Sequence, residues 1–188
     1  RNINYGPVSD VSASAYPAVG GIVGFSTGSS DLSNCLNAGA ISVGGSEETP
    51  RSTVYMGGIL GQTSAAVTIK SAQNTGSVTF NTVTTNVFMA GIVGLLDKID
   101  SDISYSENSG PVTASGQANG LWIAGVLGST GWAVCDYIKN SAPITVKNCY
   151  IKTSTWLSGC VGRFDSGENT TSKTVTGMEN TGNITMKE

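Results

Sequence analysis

The chain has 188 residues, enough for one domain with a real core, and only 12% of them are charged. Ser, Thr, Asn and Gly make up about 45% of it, yet a 39% hydrophobic share and a net charge of −3 exclude a self-repelling disordered chain. Histidine is absent, which excludes Ser-His and Cys-His dyads and every His-containing metal site, and the acidic pI of about 4.9 offers nucleic acid no basic face.

Along the chain two phrases alternate. The first is Asn, any residue, a small residue, any residue, then Val or Ile. It occurs at Asn4-Tyr5-Gly6-Pro7-Val8, Asn37-Ala38-Gly39-Ala40-Ile41 and Asn74-Thr75-Gly76-Ser77-Val78. It returns at Asn108-Ser109-Gly110-Pro111-Val112, Asn140-Ser141-Ala142-Pro143-Ile144 and Asn180-Thr181-Gly182-Asn183-Ile184. Between these lie Gly21-Ile22-Val23-Gly24, Gly58-Ile59-Leu60-Gly61, Gly91-Ile92-Val93-Gly94, Gly125-Val126-Leu127-Gly128 and Gly159-Cys160-Val161-Gly162. The Asn residues are spaced by 33, 37, 34, 32 and 40.

After five of the six Asn phrases comes a triplet with apolar outer members and Ser or Thr between them. Examples are Ile41-Ser42-Val43, Val78-Thr79-Phe80 and Ile144-Thr145-Val146. That is a strand with one buried and one wet face. Five residues before each Asn stand Leu32, Ile69, Ile103, Cys135 and Val175. Two before stand Cys35, Ala72, Ser106, Ile138 and Met178. No helical periodicity occurs.

These features predict an all-β fold: a single-domain parallel β-solenoid (β-helix) over residues 1–188. It has about five ~34-residue coils with three short strands each, right-handed by the crossover rule. Asn ladders at one corner, and Gly serves corners that need a left-handed or tightly bent backbone. The polar stretches Gly44–Thr53 and Arg163–Thr174 read as protruding loops.

The Gly-aliphatic-aliphatic-Gly unit, in step with the Asn phrase from Asn4 to Ile184, resembles the GLUG-motif repeats of bacterial surface and adhesin-like proteins. The residue after the first Gly is Ile, Val or Cys, never Leu. The resemblance implies an extracellular, cell-surface setting and a role in adhesion or scaffolding. It brings no catalytic residues and no cofactor. The chain starts at Arg1 without Met and is read as a segment of a longer surface protein. No stretch is apolar enough to span a membrane, and end-to-end self-association is expected of uncapped coils.

The candidate ligand-binding site is the column three residues before the first Gly of each glycine phrase. After Ala18 it carries Tyr55, Phe88, Trp122 and Trp156. Alternation with Val19, Met56, Met89, Ile123 and Leu157 directs it outward. An exposed aromatic row suits the apolar faces of sugar rings, and an aromatic ladder packed at a half-wet corner is the bland alternative. The expected function is a surface adhesion or binding module that recognises carbohydrate. A passive stalk is the alternative, and a polysaccharide-cleaving enzyme a lesser one. Asp31, Asp97, Asp136 and Asp165 are assigned different addresses, so no carboxylate column supports catalysis.

Asp97, Asp100 and Asp102, and likewise Asp165, Glu168 and Asn169, could hold Ca²⁺, though their spacing fits no calcium loop; solvated turns are the simpler reading. Cys35, Cys135 and Cys160 fall at apolar addresses and fit buried free thiols. One bridge among Cys135, Cys149 and Cys160 stays open.

Overall fold

The computed structural model describes residues 1–11, 15–45, 51–98, 100–165 and 175–187. Among these there is no helix, and none therefore that could cross a membrane. The chain is a parallel β-solenoid. Every strand pairs in parallel with the strand at the same address one coil away, giving sheets of six, five, eight and five strands. Long-range order thus comes from the repeat itself: β-branched residues at fixed addresses find like neighbours above and below.

The count of strands per coil differs from the sequence reading. The triplet strand and the aromatic-bearing stretch fuse into single strands at Val78–Ala90, Val112–Ala124 and Ile144–Ser158. Inward residues alternate from Val78 to Thr84, then resume at Val87 and Met89, so the strand turns a corner at Thr85. Both halves face one core cluster that includes Phe80, Val87 and Met89. In the second coil Ile41–Gly44 and Arg51–Gly57 are strand too, so most of the expected loop over 44–53 that is described continues the sheet. The other three ladders hold the glycine-phrase strands such as Val93–Leu96, three-residue strands such as Val134–Asp136, and two-residue strands ending in Asn. A second cluster, with Ile59, Ile69, Leu96, Ile103 and Leu127, lies among the glycine-phrase ladder, the short strands and the Asn corner.

The six Asn form one hydrogen-bonded column. Nδ2 of Asn4, Asn37, Asn74, Asn108 and Asn140 each donates to Oδ1 of the next, at 2.7–2.8 Å. The second N–H of each amide donates to the carbonyl two residues on, as Asn74 does to Gly76 at 2.8 Å. Asn37, Asn74, Asn108 and Asn140 are fully buried.

The first glycine of each glycine phrase does lie at a bend, as expected, but not in a left-handed one. None in either phrase has positive φ. They are excluded volume: a Cβ on Gly91 would lie 2.0 Å from Cγ of Asn108, and on Gly125 2.2 Å from Cγ of Asn140. The same holds at Gly21, Gly58 and Gly159 against Asn37, Asn74 and Asn180. The glycine phrase packs against the Asn ladder, which is why the two phrases keep step. A column of left-handed residues lies elsewhere, three before the Asn, at Asn34, Ser71, Tyr105, Tyr137 and Gly177, with Asp100 and Asn148 left-handed outside it.

Candidate functional site

Strand alternation does place the predicted aromatics opposite the buried Met56, Met89 and Ile123. Pairing sets Tyr55 beside Phe88, Phe88 beside Trp122 and Trp122 beside Trp156, with Ala18 at the head. Their rings stack face to face. Centroids are 5.5, 4.4 and 4.8 Å apart and the planes lie within 12° of parallel.

The row faces out of the core but is not bare. Trp122 is 8% exposed and the other three are half-buried. The Trp122 ring leans over Gly120, where a Cβ would come within 2.7 Å of it. Its Nε1 is buried without a partner among the described residues. Burial, ahead of a compensating bond from Thr53, pushes the Tyr55 hydroxyl above its ordinary pKa. The inner ring faces are therefore occupied by neighbouring rings, and the sides of the stack present edges. Each aromatic contact contributes about 0.5–1.5 kcal/mol beyond area burial.

Two faces differ. Above Tyr55 the next residue is Ala18, which has no ring. Below Trp156 the strand finds no partner among the described residues, where Ile144–Ser158 pairs on that side only through Ile144–Lys147. The Arg163 guanidinium carbon is 5.9 Å from the Trp122 centroid and 5.4 Å from that of Trp156. Near-equal distances put it beside the stack, not on its end. Its Nη2 donates to Asp165 at 2.6 Å.

The carboxylates call for a correction. Asp97 and Asp165 share one address, two coils apart, with Gly131 between them. A Cβ on Gly131 would lie 2.8 Å from Oδ1 of Asp97, so the glycine leaves that side chain its room. Asp97 is exposed, yet local desolvation, opposed by Lys98 and helped by Asp165, raises its carboxyl above the ordinary value. Asp102 pairs with Lys70 at 3.3 Å, and Asp100 stands exposed at a left-handed turn. Among the described residues no three metal-ligating side chains converge. Glu168 and Asn169 lie outside the described residues.

A second aromatic pair escaped the sequence reading. Tyr105 and Tyr137 stack at 5.1 Å, are 63% and 55% exposed, and occupy the left-handed column. Both stand three residues before their Asn, and aligning that column would have found them.

All four cysteines are free; Cys35, Cys135 and Cys160 are buried and Cys149 is half-buried. Burial, reinforced by Asp136 and Asp102, pushes the Cys135 thiol up to about 12. A maleimide at neutral pH is expected to label Cys149 in the folded protein and to leave Cys135 untouched until denaturant is added; peptide mapping reads both.

Fold and geometry together define a parallel β-solenoid with internal asparagine and aromatic ladders. No known family model, curated protein or solved structure matches the chain.

Proposed function

We propose that the chain is a stiff, non-catalytic segment of a bacterial cell-surface protein of the GLUG-repeat kind, acting as a spacer outside the cell. The observation that carries this reading is the aromatic ladder. Ring faces that could receive a sugar are spent on one another through Tyr55, Phe88, Trp122 and Trp156, which ties four coils together along the axis. With only 12% charged residues, few like charges stack at the sheet spacing.

One observation favours a second reading, an adhesion module that binds carbohydrate. Among the described residues no strand lies over the outer face of Trp156, and Arg163 and Asp165 stand beside it. An indole face flanked by an ion pair suits a sugar ring.

A glycan array and thermal melts of the wild type, Trp122→Ala and Trp156→Ala separate the two. The spacer reading expects no glycan signal. It also expects Trp122→Ala to lose about 3 kcal/mol of stability, as buried aromatic truncations do, and Trp156→Ala less. A glycan signal abolished by Trp156→Ala at full folding would sink the spacer reading and install the second. Product released from a polysaccharide panel would overturn both.

A further inference from the structure

The tyrosine stack lies in the middle of the solenoid, with described residues of a coil on either side of it. Tyr105 and Tyr137 are stacked at 5.1 Å and both are exposed. Tyr137 lies over Gly177, where a Cβ would come within 2.5 Å of its Cδ1. On the other side the column continues to Ser71, whose amide donates to the Ser104 carbonyl. Ser71 carries no ring, so the Tyr105 face turned towards it has no aromatic neighbour.

The strand that leads into Tyr105 adds two polar atoms in want of a partner. In Asp102–Ser104 the middle residue, Ile103, belongs to the core, so Asp102 and Ser104 face outward. Ser104 is only 4% exposed, yet its Oγ has no hydrogen-bond partner among the described residues, and neither has Oδ1 of Asp102. The other carboxylate oxygen, Oδ2, lies 3.3 Å from Nζ of Lys70. Lys70 starts opposite Ser104 on the adjacent strand and ends at Asp102, so its arm crosses both. An ion pair with so exposed a lysine is weak, and Lys70 swings away at little cost. One coil on, Asp136 stands at the Ser104 address and accepts from Thr176 at 2.7 Å. With Lys70 aside, the site is uniform in kind. Carboxylate and hydroxyl oxygens accept, beside a ring face of negative potential.

We propose that this face docks an arginine side chain of a partner protein. A guanidinium is planar, carries donors and no acceptor, and stacks on aromatic rings. Laid on the Tyr105 face turned to Ser71, it donates to Asp102 Oδ1 and Ser104 Oγ and displaces Lys70. The chain shows this chemistry once already. Arg163 stands 5.4 Å from the Trp156 centroid, beside the tryptophan stack, and donates to Asp165 at 2.6 Å. The tyrosine stack has the rings and the carboxylate, and among the described residues no arginine lies within cation–π reach of it. The surrounding charge agrees: Asp102, Glu107, Asp136 and Glu179 outnumber Lys70 and Lys139 on these two ladders. A lysine ammonium fits less well, because it cannot lie flat on the ring and fork to two oxygens at once. The proposal does not rest on the spacer reading, since a stalk can carry a docking point without binding any glycan.

The test uses the whole chain and a short capped peptide with one central arginine among glycines and serines. Versions with citrulline or lysine at the centre are the controls, and NMR shifts follow binding. The arginine peptide is expected to move the Ile103, Ser104 and Tyr105 signals saturably. Citrulline, which keeps the shape and loses the charge, is expected to leave them in place, and lysine to bind more weakly. Asp102→Asn and Tyr105→Ala are each expected to weaken the arginine peptide about tenfold or more, as loss of a bond to a charged group does, with the near-ultraviolet tryptophan spectrum unchanged. Lys70→Ala is expected to tighten binding, because it removes the competitor. Lys152→Ala removes the same charge from an exposed site on the long strand Ile144–Ser158 and is expected to have a smaller effect. No saturable shift with arginine, citrulline or lysine binding as tightly, Asp102→Asn binding like wild type, or Lys70→Ala no tighter than Lys152→Ala would each overturn the proposal. So would self-association of the chain that Asp102→Asn abolishes, which puts a second copy where the partner is proposed.

Discussion

Asn108→Asp is expected to cost about 4 kcal/mol or more at neutral pH, most of the margin of an ordinary domain. The residue is fully buried and sits mid-ladder. Its amide accepts from Asn74 at 2.7 Å and donates to Asn140 at 2.8 Å and to Gly110 at 2.9 Å. A carboxylate keeps the first bond and turns both donations into oxygen facing oxygen, without water to relieve them. Burial raises the carboxyl's folded-state pKa above the unfolded value of about 3.9. By linkage the loss is then smallest below that unfolded value and grows as pH rises through the folded one. Urea melts from acid to neutral pH, compared with wild type, check both sign and size. Equal loss at all pH would refute the buried-charge account. Asn4→Asp, at a rung that is only half-buried, is expected to lose much less.

Gly91→Ala is expected to lose more than about 3 kcal/mol, at the upper end for overpacking. The new methyl would meet Cγ of Asn108 at 2.0 Å and the Gly125 carbonyl at 2.3 Å. Neither can withdraw, since one is a ladder rung and the other accepts the Gly91 amide. The corresponding corner after the Asn holds Ala142 in one coil, although a Cβ on Gly39, Gly76 or Gly110 would lie 1.9–2.0 Å from a backbone carbonyl. The first glycine of the other phrase is never replaced. Gly28→Ala, with nothing within 4 Å, is the matched control and should melt with wild type. A Gly91→Ala protein as stable as that control would show that the two phrases do not depend on each other.

These two positions explain what the sequence could and could not convey. A repeated Gly declares that a side chain is forbidden but not what forbids it. The bend was legible, but the left-handed backbone also expected is absent, and contact with a ladder one strand away is what excludes the side chain. The register of Ser9, Ser42, Thr79, Thr113, Thr145 and Thr185 was legible because period two has only one way to be in step. The bend at Thr85 was not, because threonine, asparagine and valine read as strand on both sides of it. For the aromatic row the address was readable and the exposure was not. Exposure depends on ring-to-ring packing and on Gly120, neither of which leaves a mark in one column. The left-handed column was hidden for a related reason: Asn, Ser and two Tyr have no shared side-chain chemistry.

One consequence concerns how such a chain comes apart. Among the described residues every strand is bonded only to the coil before it and the coil after it, and no strand of the first coil pairs with one of the last. Loss of an end coil therefore leaves the next one in the condition the first was in. The molecule can shorten stepwise, like a zip opening from either tip, with its middle coils protected longest against amide exchange.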